Sequence, residues 1–229
     1  MKKVFRIFGL VDRSGSMQFN KEDHLGGLRS FIEDQKDDSE TYFTLIQFDH
    51  INPFEIVLDD VNIKDVDVKK IDLIPRGGTP LLDAMGRSVA FIEGKKFSDD
   101  DQIILMVITD GEDRDSKEWT IERVSKAVKD KEGKWKILYL GANVDAFTEA
   151  KNLGINVNSV LNYATSSVGT QNMYTSNTRS ITRMKSAYAR GMSSADALQA
   201  ANFTAAEVSL CANPTQVLSK VGPVPFVSG

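Results

Sequence analysis

The stretch Val4-Phe5-Arg6-Ile7-Phe8-Gly9-Leu10-Val11-Asp12-Arg13-Ser14-Gly15-Ser16 decides the fold. Val4 to Val11 is almost continuously apolar, which is the pattern of a strand covered on both faces of a parallel sheet. Arg6 splits that run and Asp12-Arg13-Ser14 ends it, so the segment is expected to be a strand and not a signal peptide. Ile103 to Ile108 and Ile137 to Leu140 have the same character and are expected beside it at the centre of one sheet. Thr41 to Phe48 and Phe54 to Leu58 are β-rich, and the short polar link His50-Ile51-Asn52-Pro53 between them suits an antiparallel pair at one side.

Helical stripes separate these strands: Leu25, Leu28, Phe31 and Ile32; then Met85, Val89 and Ile92; then Ile121, Val124 and Val128. Pro80 suits a first helical position, Ser116 an N-cap, and Gly133 the position just past a Lys-rich last turn. Strands alternating with helices imply an α/β doubly wound domain. Its central sheet is mostly parallel with one antiparallel edge strand, and helices cover both faces.

The composition sets wide limits. The 229 residues are enough for one to two domains and for burying roughly 70% of the unfolded surface. An apolar fraction of 41% and a charged fraction of 26% are ordinary for a folded, water-soluble chain. The formal net charge of −4 argues against a nucleic-acid partner. No run approaches the 18 or so apolar residues that cross a bilayer. The single cysteine, Cys211, has no internal disulfide partner, which points to the cytosol.

After about Tyr163 the character changes. Thr165 to Thr182 is dense in Ser, Thr and Asn, yet Tyr174, Ile181, Met184 and Tyr188 recur at helical spacing as a packing stripe. Ser193 with Asp196 and Thr204 with Glu207 are capping-box signatures. The expectation is a domain over residues 1–163, a helical extension docked on it over 164–220, and a frayed tail over 221–229.

Ligands of doubly wound sheets collect outside the carboxyl ends of the strands. Asp12, Asp49, Asp110, Asn143 and Asp145 all fall at that rim. Asp12-Arg13-Ser14-Gly15-Ser16 places a carboxylate and two hydroxyls at alternate positions, with Gly15 allowing a sharp turn. Thr79, in Arg76-Gly77-Gly78-Thr79-Pro80, and Asp110, in Thr109-Asp110-Gly111, can add two more oxygens. An oxygen-only set suits Mg²⁺, which binds near-octahedrally at roughly 2.0–2.1 Å and keeps waters readily; Mn²⁺ and Ca²⁺ are alternatives. Asp49, Glu112, Asp113, Asp115 and Asp145 are left out of the metal set as ordinary solvated loop acids, and Arg76 is divided between ligand contact and solvated charge.

Asp-x-Ser-x-Ser followed by a distant Thr and a distant Asp resembles the metal-ion-dependent adhesion site (MIDAS) of the von Willebrand factor A (vWA) family, over about Lys3 to Asn162. The resemblance implies a Rossmann-like fold. It also implies that Ser14, Ser16 and Thr79 touch the metal while Asp12 and Asp110 act largely through water. The segment from Gly141-Ala142-Asn143 through Asn162-Tyr163-Ala164-Thr165 and Gly169 is similar to small stand-alone members of bacteria and phages. The expected function is a non-enzymatic module whose cation captures an Asp or Glu of a protein partner. The alternatives are metal-bridged self-assembly, work beside an ATPase partner, and, less favoured, a Mg²⁺-dependent phosphohydrolase; neither nucleic acid nor membrane is an expected partner.

Overall fold

The computed structural model describes residues 3–37, 39–142, 145–215 and 217–218. Six strands form one sheet: β1 Val4–Asp12, β2 Glu40–Phe48, β3 Glu55–Asn62, β4 Gln102–Thr109, β5 Lys136–Ala142 and β6 Val160–Tyr163, in the order β3-β2-β1-β4-β5-β6. Neighbours pair in parallel except β2 with β3. The mostly parallel sheet with one antiparallel edge strand is as expected. The four-residue β6 is an addition, too short to announce itself by alternation.

Among the described residues seven α-helices cover the sheet: α1 Lys21–Asp34, α2 Leu81–Gly94, α3 Ile121–Lys129, α4 Ala146–Asn152, α5 Ser167–Ala189, α6 Ser194–Ala200 and α7 Ala205–Ala212. Strand alternation sorts the core into two layers. Ile7 and Val11 of β1, Ile104, Met106 and Ile108 of β4, and Leu138 and Leu140 of β5 share one layer with α1 and α5 to α7. Phe8 and Leu10, Ile103, Leu105 and Val107, and Ile137 and Tyr139 share the other with α2, α3 and α4. The Tyr174, Ile181 and Met184 stripe therefore lies in the same apolar layer as β1 and β4. No helix among the described residues is long and apolar enough to cross a membrane.

Three local expectations are corrected. Ser116 does not cap the third crossover helix; Thr120 does, accepting from Arg123 N, because the helix starts only at Ile121 and the amides of Lys117, Glu118 and Trp119 are first gathered by Asp83. Ile121 is 46% exposed, so only Val124 and Val128 of that stripe reach the core. Of the two capping boxes, Thr204 with Glu207 is reciprocal, whereas the Ser193 hydroxyl accepts from Asp196 N and itself donates to the Asp196 carboxylate. The tail over 221–229 lies outside the described residues.

α1 and α5 approach closely at Gly27, where a Cβ would fall 2.2 Å from Cδ2 of the Tyr174 ring, while one at Gly26 would meet nothing within 4 Å. Gly27→Ala is expected to destabilise the chain by about 1–3 kcal/mol through overpacking. Gly26→Ala, in the same helix, is expected to stabilise it by about 0.5–1 kcal/mol. Denaturant unfolding of the two variants checks the pair, and equal effects would contradict this packing.

Candidate metal centre

β1 ends at Asp12 and its parallel neighbour β4 at Thr109. The helix after β1 packs on one face of the sheet and the helix after β4 on the other. Strand order thus reverses between these two strands, which opens a crevice at their carboxyl ends. Asp12, Ser14, Thr79 and Asp110 are all buried there, at 0%, 1%, 7% and 5% exposure, while Ser16 is exposed at the mouth.

Four of the five expected residues are joined directly. Ser14 N donates to Asp12 Oδ1 at 2.6 Å and Thr109 Oγ1 to Asp12 Oδ2 at 2.7 Å. Ser16 Oγ donates to Asp110 Oδ1 at 2.6 Å and lies 3.0 Å from Ser14 Oγ. Neither serine acts as a side-chain helix cap; Ser14 precedes a short 3₁₀ turn, Gly15–Asn20, without a capping bond. Thr79 joins through its neighbours: a Cβ on Gly111, next to Asp110, would lie 3.4 Å from Thr79 Oγ1.

Backbone straps hold the Thr79 loop against the Asp12 loop. Gly15 N donates to Gly77 O and Arg76 N to Arg13 O, both at 2.8 Å. His50 N donates to Gly78 O, and Gly78 N returns a bond to His50 Nδ1, each at 3.1 Å. Gly77 is required here: its φ is +65°, and a Cβ would sit 1.6 Å from His50 Nδ1. Thr79 does not cap α2 with its side chain. Instead Thr79 N donates to Asp115 Oδ2, Leu82 N to Asp113 Oδ1 and Asp83 N to Ser116 Oγ. The Asp83 carboxylate in turn accepts from the backbone N–H of Lys117, Glu118 and Trp119. Asp113, expected as a solvated acid, thus caps the start of α2, and Asp115, expected likewise, fastens Thr79 just ahead of it.

The other acids of the rim are occupied differently. Asp49 is wholly buried and accepts from Arg13 Nε at 2.6 Å and Arg76 Nε at 2.8 Å. Burial works against its charge, but Arg76, Arg13 and the amides of Asn52 and Ile51 hold its carboxyl below the usual range. Arg13 also pairs with Glu55, and Arg76 lies 3.6 Å from that carboxylate, so Arg76 belongs to an ion cluster. Asp145 is the N-cap of α4, bonded by Thr148. Asn143 lies outside the described residues.

Sequence reasoning missed Thr109, whose hydroxyl holds Asp12 from the last position of β4. His24 is buried at 1% exposure, its two ring nitrogens 3.4 Å from Tyr174 Oη and 3.3 Å from Tyr163 Oη, and burial pushes its pKa down to about 4. It is a neutral packing group.

Asp12 and Asp110 carry charge that no arginine or lysine of the described residues neutralises. Burial pushes Asp12 up to about 7, against hydrogen bonds from Thr109 and Ser14, and Asp110 adds to the rise. Burial likewise raises Asp110. A divalent cation beside the pair would relieve both. Among the described residues no three His, Cys, Asp or Glu side chains come together so as to hold a metal ion by themselves. A cation at this place would therefore draw part of its shell from hydroxyls, and the donor set present fits a hard ion of the Mg²⁺ kind.

No family model and no curated protein matches the sequence. Solved structures do. Proximal thread matrix protein 1 from the mussel byssus shares 16% identity at a TM-score of 0.58, over 76% of this chain and 46% of that one. A further structure of it has a zinc-occupied MIDAS motif. The SpRpn10 VWA domain shares 11% identity at 0.54, over 76% of this chain and 95% of that one. The manganese-loaded Plasmodium vivax TRAP protein shares 13% at 0.51, over 71% and 69%. The chain thus spans under half of the mussel protein and nearly all of the SpRpn10 domain. At such identities the likeness is one of fold: the chain has the Rossmann-like fold of vWA domains.

Asp12 takes up a proton more readily folded than unfolded, so in EDTA its contribution to stability falls as pH rises from its ordinary 3.8 to about 7. Asp12→Asn is expected to raise the metal-free melting midpoint at pH 8, by about 2–4 °C for each 1 kcal/mol relieved, and to change it little at pH 4. Calorimetry in EDTA at the two pH values checks this. A midpoint lowered equally at both would contradict it.

Proposed function

We propose that the chain is a non-enzymatic binding module that holds a divalent cation, Mg²⁺ first, and uses it to take a carboxylate of a protein partner. Ser14, Ser16 and Thr79 are the direct ligands in this reading, and Asp12 and Asp110 supply the charge. The observation that carries it is the cluster of Asp12, Ser14, Ser16 and Asp110, joined at 2.6–3.0 Å at the switch point of the sheet, with two carboxylates to which no cationic side chain among the described residues is bonded. Two carboxylates balance a divalent ion, and the remaining neutral donors leave it a hard acid able to accept another carboxylate.

The zinc-occupied motif of the mussel protein and the manganese loading of TRAP support a metal in this fold. Phe19, Ile51 and Ile74 are 90%, 63% and 61% exposed on segments bordering the cluster, apolar surface that a protein partner would cover. The histidines give no support to an enzyme: His24 is enclosed by two tyrosines and His50 accepts from Gly78 N. A cytosolic place accords with the single cysteine, buried and with its thiol pushed up to about 11 by burial.

Mg²⁺ at about a hundred times its dissociation constant is expected to add about 2.7 kcal/mol, a midpoint rise of roughly 5–10 °C, and Ser14→Ala or Asp110→Ala is expected to remove that response. With Mn²⁺ loaded, water-proton relaxation should fall as glutarate is added, because a carboxylate displaces metal-bound water. A midpoint indifferent to Mg²⁺, Mn²⁺ and Ca²⁺ would remove the metal; relaxation indifferent to glutarate would remove the carboxylate.

A further inference from the structure

The opposite end of the sheet presents a different chemistry. Lys136 opens β5 at the amino edge and, by strand alternation with Leu138 and Leu140, faces the layer of α5 and α6. It is 5% exposed. Its ammonium donates to Leu198 O at 3.2 Å and Asn202 Oδ1 at 2.7 Å, both neutral acceptors. An ammonium has three donors, so one remains. Among the described residues Lys136 forms no ion pair, and the charge that acts on it is a second cation, Arg183, itself held bidentately by Glu207.

Burying an ammonium without a counter-charge is costly. The Leu198 carbonyl lies in the last turn of α6, where a cation is favourable, but this accounts for the position of Lys136 and not for the space beside it. Lys136, Leu198 and Asn202 are all wall residues of one cavity of about 390 Å³, which also includes Trp135 and Gln199. Glu132, the acid of that wall, is exposed. Burial, then Arg183, bring Lys136 down to about 8, the direction an unpaired buried cation takes.

We propose that this cavity binds a small organic anion, a carboxylate or phosphate on a flat or apolar body, with Lys136 Nζ taking the anionic group and Trp135 and Leu198 lining the body. The site lies away from the candidate metal centre and does not depend on it. The amide side chains of Asn202 and Gln199 give the anionic group further donors in the same wall.

Calorimetric titration of the full chain in excess EDTA, so that no cation at the other rim can take the probe, tests this with benzoate, phenyl phosphate and the neutral isostere benzamide. At least one anion is expected to bind about tenfold or more tightly than benzamide, the scale of one charged hydrogen bond. Lys136→Met should abolish that preference and Asp12→Asn should leave it intact. Whichever of benzoate and phenyl phosphate binds more tightly identifies the anionic group. The proposal is overturned if neither anion binds below about 10 mM, if benzamide binds as well as both, or if the preference survives Lys136→Met. The comparison with benzamide on the unaltered chain decides the matter even where Lys136→Met does not fold.

Discussion

Asp12 sits fully buried at the carboxyl end of β1, held by Ser14 N and Thr109 Oγ1 and lacking a cationic partner among the described residues. Two neighbouring strands and the loop between β1 and α1 are tied by these bonds, so the carboxylate fixes the geometry of the crevice at the same time as it charges it. The arrangement is costly without compensation, since burial raises Asp12 to about 7 and Asp110 lies close enough to raise it further. The structure therefore concentrates uncompensated negative charge where the sheet opens.

The acids around that point divide the work. Asp49, together with Glu55, neutralises Arg13 and Arg76 and so anchors the loops after β1 and before α2 to β2. Asp113 and Asp115 accept backbone N–H groups at the start of α2, and Asp83 answers with three bonds to the loop after β4. Each is satisfied by the fold itself. Asp12 accepts from the Thr109 hydroxyl and Ser14 N, and Asp110 from the Ser16 hydroxyl and its own backbone N–H, which leaves their charge available to a ligand.

The face opposite α2 to α4 is closed by α5, a helix whose buried side includes Asn172, Ser176, Asn177 and Ser180 beside Met173, Ile181 and Met184. Of its polar groups, Asn177 Nδ2 reaches back to Met106 Sδ, while two find partners in later segments, Asn172 Nδ2 in Leu210 O and Ser180 Oγ in Ala201 O. These pairings position α6 and α7, and α6 in turn supplies the carbonyl that meets Lys136. The two ends of the sheet are therefore organised by different means, the carboxyl edge by loops and the amino edge by the returning helices.

The sequence by itself determined the α/β class, the mixed sheet and the antiparallel edge, because buried strands and amphipathic helices write their periods directly into residue order, as in Val4 to Val11 and Leu25 to Ile32. It also brought Asp12, Ser14, Ser16 and Asp110 to one rim, since all four lie at or just beyond strand ends whose placement follows from topology. Tertiary structure alone decided what each neighbouring acid is for. Asp113 and Asp115 look like solvated loop residues in isolation, and only the packing of α2 against the loop after β4 makes one a helix cap and the other the anchor of Thr79. Thr109 and Lys136 were hidden for the same reason. A hydroxyl at a strand end, or a lysine at a strand start, acquires its role from groups distant in sequence, and such contacts have no local period to betray them.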